Sequence, residues 1–323
     1  RPPTRPRGAR QGAARALTGG RVQARNATAV RRDPYWPTLL QAEGMWGAEG
    51  AGPGELRAPK GVAFDAAGRL LVVDSGNHRV CVFERSGRFR SAFGRHGHAD
   101  GQLNHPWGVA VDGRTGEVLV SDTRNHRVQR FSAAGQHLLS FGRKGSRPGE
   151  LLFPHGVAVD ADGAVLVADS LNHRVCVFSA RGDPLRAFKG SGPTALRYPL
   201  GLACGRGTSG EVLVADWGND RVLVFSSHGA PLRAIAGPGG GPAHLRGPAG
   251  LAVDARGTLV VGDYGHARLQ TFLPQQGSHV ASTATLQLPD GLSVQIAHAA
   301  GVAANRDGAV AVTDDCNHCV VVI

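Results

Sequence analysis

The sequence predicts an all-β chain folded as a six-bladed β-propeller, and three observations carry that reading. A Gly opens a short apolar run six times, at Gly61, Gly108, Gly156, Gly201, Gly250 and Gly301, with a period of about 47 residues. Each interval offers four short runs rich in Val, Leu and Phe, divided by Asp-Gly, Asn and Gly turns. No segment sustains a helical period, which excludes an alternation of strands and helices. Four such strands form a small twisted sheet that cannot bury both faces alone, so the copies must stack around an axis.

From the amino terminus, residues 1–36 hold nine Arg and a single acid, Asp33, for a charge of +8. Poor in apolar residues and rich in Pro and Gly, this stretch reads as a disordered basic tail ending at residue 37: a solvated linker, or in its sharper reading a nonspecific phosphate-binding arm. The propeller is expected over 38–323. Its sixth copy stops at Val320-Val321-Val322-Ile323, only a third strand, and the missing fourth is sought at the other end. Trp46-Gly47 stands nine residues before Glu55, as Phe93-Gly94 stands nine before Gln102 and Phe141-Gly142 nine before Glu150. A strand within Thr38 to Gly47 is therefore expected to complete the last blade and leave the ring without an open edge.

Inside the blades the third copy displays the grammar: Pro154-His155-Gly156-Val157-Ala158-Val159-Asp160, a turn, Val165 to Asp169, then Asn172-His173-Arg174 and Val175-Cys176-Val177-Phe178. An Asp ends the second strand in all six copies (Asp74, Asp122, Asp169, Asp216, Asp263, Asp314) and an Arg starts the third in five (Arg79, Arg127, Arg174, Arg221, Arg268). Five residues apart across a tight turn, the two can meet as a charge-assisted pair, and a pair present in every blade is scaffold rather than catalytic machinery. The sixth copy has Cys319 where the Arg belongs, so Asp314 loses its partner, Asp315 adds charge, and that corner is expected to be the acidic seam.

These repeats resemble the NHL family, named for the tripeptide that reads Asn77-His78-Arg79, Asn125-His126-Arg127 and Asn172-His173-Arg174 here. Linkers such as Phe141-Gly142-Arg143-Lys144-Gly145 followed by Pro148-Gly149-Glu150-Leu151 are most similar to those of TRIM-NHL proteins, whose RING, B-box and coiled-coil segments precede the propeller. No such segment is read in this chain, which begins at Arg1 rather than Met and is expected to be the carboxy-terminal piece of something longer. The resemblance implies a binding module that reads RNA on one loop face or, alternatively, docks protein substrates for a TRIM-type E3 ubiquitin ligase.

The formal charge of +11 resides mostly in the tail, leaving the propeller 27 basic and 24 acidic residues. Five cysteines, Cys81, Cys176, Cys204, Cys316 and Cys319, have no framework spacing and read as reduced thiols of an intracellular, cytoplasmic protein. Cys316 and Cys319 form a lone C-x-x-C without a second ligand pair, so neither a metal site nor a cofactor is expected. No apolar run suggests a membrane span or a secretion signal. With no nucleophile elbow, phosphate-binding loop or RING cysteines, no enzyme activity is expected of this chain.

Function is expected where copies differ yet share a rim. Loops entering the innermost strands and loops joining strands two and three open on one face. There the chain places Lys60, Trp107 and His155 (from Pro-x-Gly), Arg124, Trp217 and Tyr264 (after the second strand), and Arg95, Arg143, Lys144 and Lys189 (linkers). Rings that stack on bases beside cations that neutralise phosphate suit single-stranded or looped RNA. Tyr, Trp and Arg equally suit a protein hot spot, and the same rings could simply cover the tunnel mouth.

Overall fold

The six glycines converge because each innermost strand passes within van der Waals reach of the next. A Cβ on Gly156 would lie 2.3 Å from the Leu200 carbonyl, one on Gly201 2.1 Å from that of Ala249, and one on Gly301 2.2 Å from that of Lys60. Only a residue without a side chain allows that approach. The last of these contacts joins the sixth blade to the first. In the computed structural model, which describes residues 40–205, 210–273 and 275–323, six four-stranded antiparallel sheets surround this axis. The segment read as a tail, 1–37, lies outside the described residues.

From the axis outward, blade 1 comprises Pro59–Phe64, Leu70–Asp74, Arg79–Phe83 and Phe89–Phe93, and blade 3 comprises Pro154–Val159, Val165–Asp169, Arg174–Phe178 and Pro184–Phe188. The alternation of side chains in each strand feeds clusters lying between blades rather than within them. Leu71, Val73, Val80 and Val82 of blade 1 pack with Leu103, Val109, Val120 and Phe131 around blade 2. The sixth sheet takes Ala299–Ala304, Val310–Asp314 and Cys319–Val322 from the carboxy terminus, and Gly44–Trp46 pairs antiparallel with its third strand, Trp46 opposite Val320.

Trp46 is placed as its counterparts are. Phe93, Phe141 and Phe188 each lie over the turn glycine of the following blade, Gly135, Gly182 and Gly229, and Trp46 lies over Gly87 with its ring 6.2 Å from Phe83. One element has no precedent in the repeat. Between blades 5 and 6, Thr285–Gln287 pairs with Ser293–Gln295 and, in parallel, with Leu40–Gln41, bringing Leu286 and Ile296 into the core beside Ala42.

The second residue of the NHL tripeptide staples neighbouring blades. It is held in the left-handed region (φ 56° at His78, 57° at His126, 55° at His173). From there Nδ1 accepts the backbone N–H of His105, Phe153 and Tyr198 in the next linker, at 3.0 to 3.1 Å. His318 does the same for Ala58 at 3.0 Å, and in blade 4 Asp220 Oδ1 replaces the imidazole, 2.7 Å from Gly247 N. Blade 5 has Ala267 there, without an acceptor.

Two outcomes follow from this architecture. Removing residues 1–48 strips the outermost strand and Trp46 from the sixth sheet and should lower the melting temperature by roughly 6 °C or more. Removing only 1–36 should leave it unchanged; equal melting of the two truncations contradicts a structural role for this strand. The second concerns pH. Burial, with Lys144 adding to it against the opposing pull of Asp169 and Asp122, holds the His126 pKa below its ordinary value. Its neutral form accepts the hydrogen bond, so the staple contributes fully above the unfolded pKa near 6.5 and is lost as pH falls through the lower folded value. His126→Asn retains an acceptor and tolerates the left-handed backbone. As pH falls below about 6.5 the substituted chain should therefore lose less stability than the wild type, by about 1 kcal/mol in urea unfolding.

Candidate functional site

The face formed by the linkers and the loops between strands two and three is fixed by six buried carboxylates. Asp74 accepts the Arg79 Nε–H at 2.7 Å, the Asn77 amide at 2.8 Å and the Arg57 backbone N–H at 2.6 Å, while the Arg79 guanidinium goes on to the carbonyls of Ala51, Gly52 and Glu55. The Asp–Arg distance is 2.7 to 2.8 Å in all five blades that have the Arg. Because the carboxylate is buried and every bond to it is charge-assisted, the pair locks linker and loop together. In blade 6, Asp314 has no guanidinium: it accepts Ala297 N and the Asn317 amide at 2.7 and 2.8 Å.

The residues predicted for the rim divide into three groups and a set of outer cations. Trp107 and His155 meet edge to face across the axis mouth, 5.4 Å between rings. His155 Nδ1 donates to the Phe153 carbonyl, and burial, with Lys60 reinforcing it, brings its pKa down to about 4, so it is a neutral ring. Lys60 is not free for a ligand: it forms an ion pair with Asp315 and lies 6.0 Å from the Tyr264 ring centre. Tyr264 stacks on His298 at 4.2 Å and donates to Asp315 at 3.3 Å, and burial and that carboxylate push its pKa up. Trp217 stays 42% exposed, its edge toward Tyr198 and its indole over Gly247.

Among the cations, Arg143 reaches Glu150 at 3.3 Å. Arg95, Arg124, Lys144 and Lys189 are exposed and their side chains have no hydrogen-bond or ion-pair partner among the described residues. Three equivalent residues escaped the sequence reading: Arg57, Arg197 and Arg246, two positions before the Pro of their blades. They too are exposed with unpartnered side chains among the described residues. Each stem lies on a loop glycine, where a Cβ on Gly76, Gly218 or Gly265 would come within 2.6 to 2.7 Å of the Arg Cγ. A compensation within the sequence was the available signal. Where the loop carries Gly the linker carries Arg, and where it carries Arg124 or Leu171 the linker carries Asn104 or Leu152.

The result is an arc of free guanidinium groups over blades 1, 2, 4 and 5. On the opposite face and outer edges Arg69, Arg90, Arg114, Arg130 and Arg233 have Asp65, Glu84, Asp112, Glu117 and Glu211 at 2.6 to 3.2 Å, while Arg181, Arg256 and Arg306 in the turns there are exposed with unpartnered side chains among the described residues. Two grooves open on the loop face, one lined by His173, Pro193, Arg197, Asn219 and Arg221, the other by His98, Arg124, Asn125, His126 and Arg127. Burial pushes the thiols of Cys81, Cys176, Cys204 and Cys319 up to about 12 and leaves them inert; Cys316 alone is exposed, and all five are free. Cys319 faces the core, so the C-x-x-C pair does not converge on one point. Among the described residues no helix is long and apolar enough to cross a membrane.

Comparison with known proteins matches the architecture. The NHL repeat family matches residues 56–83, 103–131, 151–178 and 245–272, in blades 1, 2, 3 and 5. The chain is similar to RING finger protein nhl-1 of Caenorhabditis elegans (36% identity over 89 residues, 28% of this chain) and to Protein brain tumor of Drosophila melanogaster (39% over 72 residues, 22% of this chain). The matched segments span only 9% and 7% of those relatives' own length. In fold it is similar to a gluconolactonase from Xanthomonas campestris, with a TM-score of 0.60 at 18% identity, covering 90% of this chain and 98% of that one. That identity carries the fold alone. The family match over four blades and the six antiparallel sheets lead to one conclusion: the chain is a six-bladed β-propeller that carries NHL repeats.

Proposed function

We propose that this propeller is a non-catalytic module that binds single-stranded or looped RNA across its loop face, in post-transcriptional regulation. The observation that carries the reading is the arc of Arg57, Arg95, Arg124, Lys144, Arg197 and Arg246, exposed and unpartnered among the described residues, on a face whose built-in carboxylates are buried and satisfied. Cations left without partners along one face present a positive field for polyanions. Trp217 offers a ring for stacking on a base between Arg197 and Arg246. Both grooves contain a free arginine. A cytoplasmic location belongs to the same proposal.

A second reading is favoured by the exposed Leu171 and Trp217, 41% and 42% accessible on the same face. Apolar side chains beside arginines suit a protein hot spot, and the face would then receive substrates for a TRIM-type ubiquitin ligase whose catalytic segments lie elsewhere. RNA titration at several salt concentrations, with and without residues 1–36, separates the two. Arg124→Ala or Arg197→Ala should weaken binding to every sequence and lower the log–log salt slope by about 0.7 per lost phosphate contact. Trp217→Ala should remove about 1 to 3 kcal/mol of stacking and leave the slope unchanged. If the chain lacking residues 1–36 binds no RNA at low salt, the protein-docking reading replaces this one.

A further inference from the structure

Blade 6 breaks the pattern of the loop face in a directed way. Where blades 1, 4 and 5 carry Arg57, Arg197 and Arg246 on the linker, blade 6 carries Ala297, and the residues beside it on linker and loop are His298, Asp315 and Cys316. His298 Nδ1 lies 2.9 Å from Cys316 Sγ and 3.2 Å from Asp315 Oδ1, and the three donor atoms all lie within 4.8 Å of one another. The second carboxylate oxygen of Asp315 is held by the Tyr264 hydroxyl and by Lys60, which leaves Oδ1 aimed at the imidazole, and the stacked Tyr264 ring fixes the plane of His298. Such support of ligands by neighbouring hydrogen bonds is what ordered metal sites require. Asp315 is buried, His298 half-buried and Cys316 exposed, so the cluster is walled on one side and open to solvent on the other.

Charge completes the case. Asp314 lacks the guanidinium that neutralises its five counterparts, so of the two carboxylates at this corner Asp315 alone has a cationic partner, the ammonium of Lys60. We propose that His298 Nδ1, Asp315 Oδ1 and Cys316 Sγ form a zinc-type divalent metal site with its fourth position open on the loop face. Mixed N, O and S donors select zinc or a related transition metal over magnesium or calcium. Tetrahedral bonds of zinc lengths would separate the donors by roughly 3.3 to 3.6 Å, so the pair at 3.2 Å already fits and the imidazole–thiol pair needs only to widen. Binding releases the thiol proton to solvent. The metal's two positive charges then balance the thiolate and the net negative charge of Asp314, Asp315 and Lys60.

The proposal does not depend on the RNA reading, and its test contains no nucleic acid. The full chain, stripped with a chelator, is titrated with Co2+ as a spectroscopic stand-in, followed by displacement with Zn2+. One equivalent should produce cobalt–thiolate charge-transfer absorption and the intense visible bands of a four-coordinate site. Zinc should abolish both, and a large excess of Mg2+ should leave them intact. Cys316→Ser should remove the thiolate absorption and His298→Ala should weaken binding at least tenfold. Because Cys316 is exposed, its substitution should leave the metal-free melting temperature unchanged, which keeps loss of binding distinct from loss of fold. No thiolate absorption in the wild type, its persistence in Cys316→Ser, or displacement by Mg2+ would each overturn the assignment.

Discussion

A buried carboxylate at the end of the second strand of every blade is the constraint on which the rest of this molecule depends. The four-stranded sheets specify barrels of hydrophobic contact between blades, but hydrophobic contact alone would leave the loops at the strand ends free to wander. Asp74, Asp122, Asp169, Asp216, Asp263 and Asp314 each bind a linker N–H that arrives from the preceding blade, and five of them add a guanidinium that itself spans to linker carbonyls. A charge removed from water is tolerated only when its hydrogen bonds are satisfied, and satisfying them fixes two loops at once. The face on which any ligand must land is therefore an organised surface.

On this repeated frame the variable positions acquire meaning. The frame consumes one Arg per blade in five blades and leaves others at the rim with no structural duty: those on linkers over a loop glycine, and Arg124 on a loop. Blade 6 departs twice, with Cys319 in place of the pairing Arg and with Asp315 and Cys316 at the rim. The same absence that leaves Asp314 without a guanidinium also leaves the corner acidic, and Lys60 from blade 1 leans across the seam to Asp315. Symmetry and its exceptions are thus linked by charge.

Much of this was legible in the sequence. The glycine period gave the blade number, and the five-residue spacing of Asp and Arg gave the ion pairs, because both are local patterns repeated often enough to stand out. What remained hidden involved residues distant in sequence. Lys60 reads as a free rim cation until Asp315, on the last blade, is brought beside it. Arg57 and Gly76 look unrelated until the linker crosses the loop. The staple made by His126 is invisible because its acceptor is in one blade and its donor in another, and the strand pair Thr285–Gln287 and Ser293–Gln295 is an insertion that no repeat announces. Tyr264 was read as an exposed ring, and the stack on His298 occupies one of its faces.

The central claim is that buried charge, not loop sequence, sets the loop face. Its most direct test is Asp169→Asn, which keeps the shape of the side chain and removes its charge, leaving the Arg174 guanidinium, with a side chain 15% exposed, uncompensated. Urea unfolding should show a loss of about 3 to 5 kcal/mol, and amide exchange should quicken at Leu152 and in the loop from Ser170 to His173 while the inner strands stay protected. An unchanged urea midpoint with undisturbed exchange in that loop would contradict the account.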